Sequence, residues 1–190
     1  MISFEDEKVI VIDNFLTPEL ADNVYVKIDA EDRWTKMKYK NKNFHYSFSQ
    51  NEDSELIKNI FLISNLKELI EETTGFSDIT FPAVFLSKYE FGDYLSPHND
   101  SDEGREYGFI YNVTRESSIE DGGVLHYINE NNEYDPILPI YNRLIIFKVD
   151  KMRNHFVSEV KKQNYKRQSL AGWFNTKKKF DNLKKEKTII

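Results

Sequence analysis

The chain has 190 residues, 39% hydrophobic and 14% aromatic, with 14 Phe, 11 Tyr and no Cys, and a formal net charge of −6. That length fits one domain, or one domain with a tail, and such aromatic content belongs to a folded, sheet-rich protein rather than a disordered one. The lack of cysteine excludes disulfides and thiolate metal sites, and the acidic balance gives no global attraction to nucleic acid.

The N-terminal run MISFEDEKVIVID is acidic and lacks the apolar stretch of a signal peptide, and nowhere does the chain approach the roughly 20 apolar residues of a membrane span. A reducing cytoplasm, with no membrane partner, is the expected setting. Residues 9–12, VIVI, read as a short buried strand. Thr17-Pro18 reads as N-cap and first position of a helix running to about Ala30. Residues 33–49 read as two strands joined at Asn41-Lys42-Asn43. Residues 54–74 carry Leu56, Ile57, Ile60, Phe61, Leu66, Leu69 and Ile70 at helical spacing, with Asp53 or Ser54 to cap the start and Gly75 to end it.

From residue 80 the pattern turns to strands: FPAVFLSKYE, YLSPHND, YGFIYNVT, GGVLHYI, RLIIFKV, HFVSEV and KRQSLAGWFN. These seven β segments with turn-rich breaks predict a sandwich, barrel or jelly roll, and helices before strands argue against a parallel βαβ sheet. The domain expected is 1–176, with support from 1–79 and a β core over 80–176. The lysine-rich end, 177–190, reads as a solvated tail.

Within the β region, His98, Asp100, His155 and Arg167 carry the candidate chemistry. His98 and Asp100 are two apart, so on an extended strand both side chains point to one face and can reach one ion, while Asn99 points away. A third ligand must come from elsewhere in the chain. His155, in HFVSEV, fits best. His126 is the lesser alternative, because its neighbours Leu125 and Tyr127 read as the inward pair. His45 has no acidic residue at ligand spacing. Two imidazoles and one carboxylate leave half of an octahedral iron open, the donor set of non-haem Fe(II) oxygen chemistry. Arg167 is a cation placed to hold an acidic co-substrate.

In this order, the strings KYEFGDYLSPHNDS, IYNVT, DGGVLHYI, RLIIFKVD, RNHFVSEV and RQSLAGWF resemble the Fe(II)/2-oxoglutarate dioxygenases, and within them the prolyl 4-hydroxylase-like branch, over roughly Phe81 to Asn175. The resemblance implies a mainly β domain with N-terminal helices, a double-stranded β-helix (jelly roll), with metal and 2-oxoglutarate inside the barrel mouth. It assigns His98, Asp100 and His155 to the iron as the catalytic centre. It assigns Arg167 to the distal carboxylate of 2-oxoglutarate, which a guanidinium fork can grip at both oxygens. Ser169 shares that face and can add a hydroxyl, while Tyr89 and Leu125 match pocket-wall residues. Asn112 stands where several relatives carry a tyrosine that touches the co-substrate. Arg105 matches a rim arginine facing substrate, and Trp173 is the other residue expected at the substrate. Ascorbate is implied as an accessory reductant and O2 as co-substrate.

The retained carboxylate of Asp100 points to hydroxylation rather than halogenation. Three functions compete: a hydroxylase of a peptidyl residue, foremost proline; a hydroxylase of a free amino acid or small metabolite; and a non-catalytic metal-binding jelly roll. The entrance is expected between the Trp34–Phe48 strands, with Lys36, Lys38, Lys40 and Lys42, and the Ser101–Glu106 loop, where Gly104 suits a lid.

Overall fold

A computed structural model of the chain describes residues 2–5, 9–39, 44–49, 58–60, 65–101, 105–129 and 131–176. The N-terminal part supplies β1 (Ile2–Glu5), β2 (Val9–Ile12), α1 (Pro18–Asp29), β3 (Thr35–Tyr39), β4 (Phe44–Ser49) and α2 (Leu66–Thr74). Then come β5 (Thr80–Tyr89), β6 (Leu95–His98), β7 (Tyr107–Asn112), β8 (Leu125–Ile128), β9 (Tyr134–Ile137), β10 (Arg143–Lys148), β11 (His155–Val157) and β12 (Arg167–Asn175). They form an antiparallel eight-stranded sheet, β1-β2-β10-β7-β12-β5-β4-β3, and a four-stranded sheet, β6-β11-β8-β9.

Period-two alternation builds two cores from the same strands. Ile10, Ile12, Leu144, Ile146, Leu170 and Phe174 pack with Ala21, Val24 and Ile28 of α1 and with Leu66 and Ile70 of α2. Their sequence neighbours Val9, Val11, Ile145 and Phe147 pack instead with Leu125, Tyr127 and Val157 of the small sheet. Each fully buried aliphatic or aromatic side chain stabilises the fold by about 1.5–3 kcal/mol relative to exposure. The large sheet is thus the middle layer, with the helices' core on one face and the small sheet's on the other.

Local chemistry explains most element ends. Thr17 caps α1, its hydroxyl accepting from the Leu20 amide, and Pro18 opens the helix. Gly75, at φ 72°, closes α2 with its amide donating to Glu71 O at 2.8 Å.

Several expectations need correction. The single helix over 54–74 does not exist: Asn65 sits at φ 45°, a left-handed conformation no right-handed helix passes through, and α2 starts after it. Lys58–Ile60 are helical, while Asp53 and Ser54 lie outside the described residues. Two strands went unforeseen. One is β1, antiparallel to β2 with a bulge between Ile2 and Phe4. The other is β9, whose Pro136 argues against a strand yet is accommodated because β9 is a sheet edge. The strands β3 and β4 do pair, but their 41–43 turn, Gly104 and the 177–190 tail lie outside the described residues. Among the described residues no helix is long and apolar enough to cross a membrane.

A candidate metal centre and a buried arginine in one cavity

The central strand of the small sheet is built to oppose two histidines. In the antiparallel pair β6·β11, His155 lies directly across from His98. Their ring centroids are 4.2 Å apart. The His98 Nδ1 lies 2.9 Å from Ser96 O, so Nδ1 carries the proton and donates, leaving the Nε2 lone pair free for a ligand bond. Phe147 packs 4.7 Å from the His155 ring.

Asp100 arrives by a different route than strand alternation. Strand β6 ends at His98, and Asp100 adopts φ 55°, so a left-handed turn swings its carboxylate back. Asn99 does face away: it donates to Lys151 O at 3.0 Å and accepts from Ser101 Oγ at 2.7 Å. One Asp100 oxygen then lies 3.3 Å from His98 Nε2 and the other 3.3 Å from His155 Nε2. The three groups offer ligand atoms within 4.8 Å of one another. Ligands on one octahedral face, with bonds of about 2.1 Å, lie about 3 Å apart, so the two 3.3 Å contacts are already near the spacing of a first-row divalent ion, and the wider separations close in when all three groups bind it. Protonation states agree. Burial pushes the Asp100 carboxyl up, but His155 and His98 outweigh it and hold it well below the usual carboxylate range. Burial pulls His155 down, favouring the neutral imidazole a metal requires.

Arg167 opens β12 opposite Tyr89 of β5, only 2% exposed. Its guanidinium lies 4.8 Å from the Tyr89 ring centroid, its Nε has no hydrogen-bond partner, and among the described residues no carboxylate pairs with it. Burial lowers its pKa, yet a guanidinium stays charged at any physiological pH. A buried, unpaired cation is costly unless a ligand anion completes it, which fits a dicarboxylate such as 2-oxoglutarate. The backbone makes room for it: a Cβ at Gly123 (φ 67°) would sit 3.3 Å from Arg167 Cδ, and one at Gly122 (φ 76°) would collide with Glu159 O. Tyr165, outside the sequence reading, adds a buried hydroxyl with no hydrogen-bond partner, its phenol pushed up to about 12 mainly by burial and lowered by nearby Arg167.

Triad and arginine line one cavity of about 740 Å³. Tyr89, Leu125, Ser169, Arg105 and Trp173 line it too. Ser169 Oγ is 2.7 Å from Ser87 Oγ, a partner visible in the sequence as two residues before Tyr89 on the same strand face. Arg105 stacks over Trp173, with Cζ 3.6 Å from the ring centroid. Asn112 is not brought to the cavity wall. It lies opposite Ser169, fully buried, its amide donating to Arg143 O at 3.4 Å. His126 stacks on Phe156 at 4.4 Å, facing away from Leu125 and the cavity. At the expected entrance, Met37, Phe44 and Tyr46 line the cavity. Trp34 does not: its Nε1 donates to Glu31 O and its ring packs on the helix-side core under Lys88. Lys36 is drawn to Asp93, and Lys40, Lys42 and the side chain of Lys38 lie outside the described residues.

Residues 84–175 match the family model of the 2OG-Fe(II) oxygenase superfamily. That segment is a 2OG-Fe(II) oxygenase domain, of a superfamily whose members use Fe(II) and 2-oxoglutarate, and the architecture is the double-stranded β-helix. Over 142 residues it is 30% identical to prolyl 3-hydroxylase OGFOD1 of Mus musculus, a match covering 68% of this chain and 26% of that protein. Over 150 residues it is 27% identical to prolyl 3-hydroxylase sudestada1 of Drosophila melanogaster, covering 68% of this chain and 28% of that protein. The chain therefore spans about a quarter of the length of these curated relatives. Among solved structures, a Pseudomonas putida prolyl-4-hydroxylase superposes with a TM-score of 0.67 at 17% identity, covering 88% of this chain and 92% of that one. A Trichoplax adhaerens prolyl hydroxylase, solved with a hypoxia inducible factor oxygen degradation domain peptide fragment, gives 0.70 at 18% identity, covering 96% and 88%. At these identities the likeness speaks for the fold.

Proposed function

We propose that this protein is an Fe(II)/2-oxoglutarate dioxygenase that hydroxylates a prolyl residue within a peptide or protein. The observation that carries this reading is the meeting, in one cavity, of the His98–Asp100–His155 triad with the buried, unpaired Arg167. A metal-binding jelly roll without catalysis has no need of such an arginine. Prolyl specificity is supported by the names of the curated relatives.

Under this reading His98, Asp100 and His155 hold the iron, and together the iron and 2-oxoglutarate supply the oxidative decarboxylation that activates O2 for C–H hydroxylation. Arg167 grips the distal carboxylate of 2-oxoglutarate, with Ser169 and Tyr89 beside it and Leu125 closing the apolar wall. The Ser96 carbonyl keeps His98 in its ligating tautomer. Arg105 and Trp173 face the substrate at the mouth. Residues 1–176 form the dioxygenase domain, its support in 1–79 and its core in 80–176. A cysteine-free chain that must keep iron ferrous supports a reducing, cytoplasmic setting.

The test is succinate release from 2-oxoglutarate with Fe(II), screened against proline-containing peptides and free amino acids, with mass spectrometry locating the added oxygen. Peptide-dependent succinate with hydroxyproline as product is expected, and the product's regiochemistry distinguishes C3 from C4. Turnover with free amino acids alone overturns the peptidyl reading. Failure to bind Mn(II) and 2-oxoglutarate at all overturns the enzyme reading.

A further inference from the structure

Outside the metal triad, two carboxylates among the described residues are sealed into the protein with a cation beside them: Glu31, held by its near neighbour Arg33, and Asp93, held by the distant Lys36. Asp93 is 1% exposed and sits in the turn between β5 and β6. Its amide donates to Glu90 O at 2.8 Å, and the Glu90 amide donates back to Oδ2 at 3.0 Å. Lys36 of β3 donates to both carboxylate oxygens, at 2.5 and 2.6 Å. His45 of β4 places Nδ1 2.7 Å from Oδ1, off the line of a hydrogen bond. So both strands of one hairpin arm converge on a single buried carboxylate.

The arm needs a second anchor. Among the described residues β4 pairs with β5 only through Ser47, Phe48 and Ser49, and β3 is the edge of the sheet. Before Ser47 the arm leaves β5 and crosses to the small sheet, where His45 and Tyr94 exchange backbone hydrogen bonds of 3.0 and 2.8 Å. There Phe44 packs 5.2 Å from the His98 ring, and Met37, Phe44 and Tyr46 wall the cavity. The Asp93 turn is fixed to the chain beyond β11 as well: Gly92 N donates to Val160 O, and Val160 N to Asp93 O, each at 2.9 Å. The same short turn therefore ties the arm to the segments that carry His98 and His155.

An ion pair whose carboxylate is buried and whose lysine is about a third exposed (35%) is a weak source of stability, because desolvation offsets the attraction; its better-attested use is to specify one arrangement. An apolar contact would hold the arm but let it slide. We propose that Asp93 is a positioning residue: by holding Lys36, with His45 alongside, it sets the β3–β4 arm at one height over the metal cavity and so fixes where the reacting carbon of a substrate sits. The consequence at the substrate rests on the hydroxylase reading above; the placement of the arm does not.

The experiment compares Asp93→Asn, Lys36→Met and the charge-keeping Lys36→Arg in the full chain. Hydrogen exchange is expected to rise over residues 44–49 in the first two variants, with 107–112 and 143–148 as protected as in wild type and Mn(II) and 2-oxoglutarate still bound at wild-type affinity. Lys36→Arg should restore protection. Against an array of peptides each centred on proline, succinate formed per hydroxylated peptide should rise at least about fivefold in Asp93→Asn and Lys36→Met, because a misplaced carbon loses the oxidant. Unchanged exchange in both variants overturns the proposal. So does loss of Mn(II) and 2-oxoglutarate binding, which would make Asp93 a support of the metal site's fold, and so does an unchanged succinate ratio beside raised exchange. If wild type hydroxylates no member of the array, the prolyl reading fails instead, and the exchange and binding results still decide the part played by Asp93.

Discussion

The two faces of β12 make opposite use of the same strand. Leu170 and Phe174 turn toward the helices and join a continuous apolar core, both fully buried. Arg167, Ser169, Ala171 and Trp173 turn the other way and line the cavity. Both faces bury side chains, but only on the helix side do Leu170 and Phe174 meet groups of their own kind. The cavity side buries a cation with no anion and a pair of hydroxyls. Stability is concentrated on one face, and chemistry is placed, at some cost in stability, on the other.

That contrast can be broken experimentally. The largest effect belongs to the metal: His155→Ala should lower metal affinity by more than the roughly 10–100-fold that loss of an outer partner costs, read by Co(II) or Mn(II) titration, and should not lower the Tm of the metal-free protein much, since a buried, half-satisfied imidazole is removed. On the helix side, Phe174→Ala should destabilise by about 3–5 kcal/mol, seen in denaturant unfolding, while the folded fraction binds 2-oxoglutarate with wild-type affinity. Across the strand, Arg167→Met should weaken 2-oxoglutarate binding by about 1.5–3 kcal/mol, or roughly 10–100-fold. The ligand-free Arg167→Met protein should unfold at the same temperature or higher, because an unpaired buried charge gives way to an apolar chain of similar length. A fall in Tm like that of Phe174→Ala would show that both faces stabilise alike.

The sequence made one face more legible than the other. VIVI, RLIIFKV and KRQSLAGWFN were legible as strands, but which of their residues face the helices and which the small sheet was not, because VIVI and LIIF are apolar at every position and only the assembled layers separate the two faces. Metal-ligand residue types at strand spacing marked the triad region, yet the reason given for Asp100 was incomplete: a left-handed turn delivers it, and no pattern of side chains announces such a turn. Asn65 broke the long helix for the same reason, with Leu56 to Ile70 keeping their spacing across the interruption. Pro136 hid β9, since proline argues against strands except at edges, and edges are known only once the sheet is assembled. Asp93 went unremarked in the sequence; its partners Lys36 and His45 are far away in the chain, and only folding brings them together.

The small sheet sharpens the comparison with the weakest of the expected effects. His155 and His126 sit on adjacent strands, β11 and β8, but face opposite ways: His155 faces the cavity, and His126 stacks flat on Phe156 on the outer side. Burial against Phe156 holds His126 below its ordinary value of 6.5. The sign follows from linkage. As pH falls through 6.5 the unfolded chain takes up this proton first, so the folded state loses relative stability until pH reaches the lowered folded value, below which nothing more is lost. The contribution is therefore complete above neutral pH and declines on acidification. It is small, because the ring is only partly buried. In Tm measurements on the metal-free protein from pH 8 to 5, wild type should lose ground to His126→Gln as pH falls through 6.5, and the gap should level off once pH is below the lowered folded-state value. A gap that stays constant would mean that the outer face leaves this imidazole as free to ionise as in the unfolded chain, and one that opens as pH rises would mean that folding favours the imidazolium.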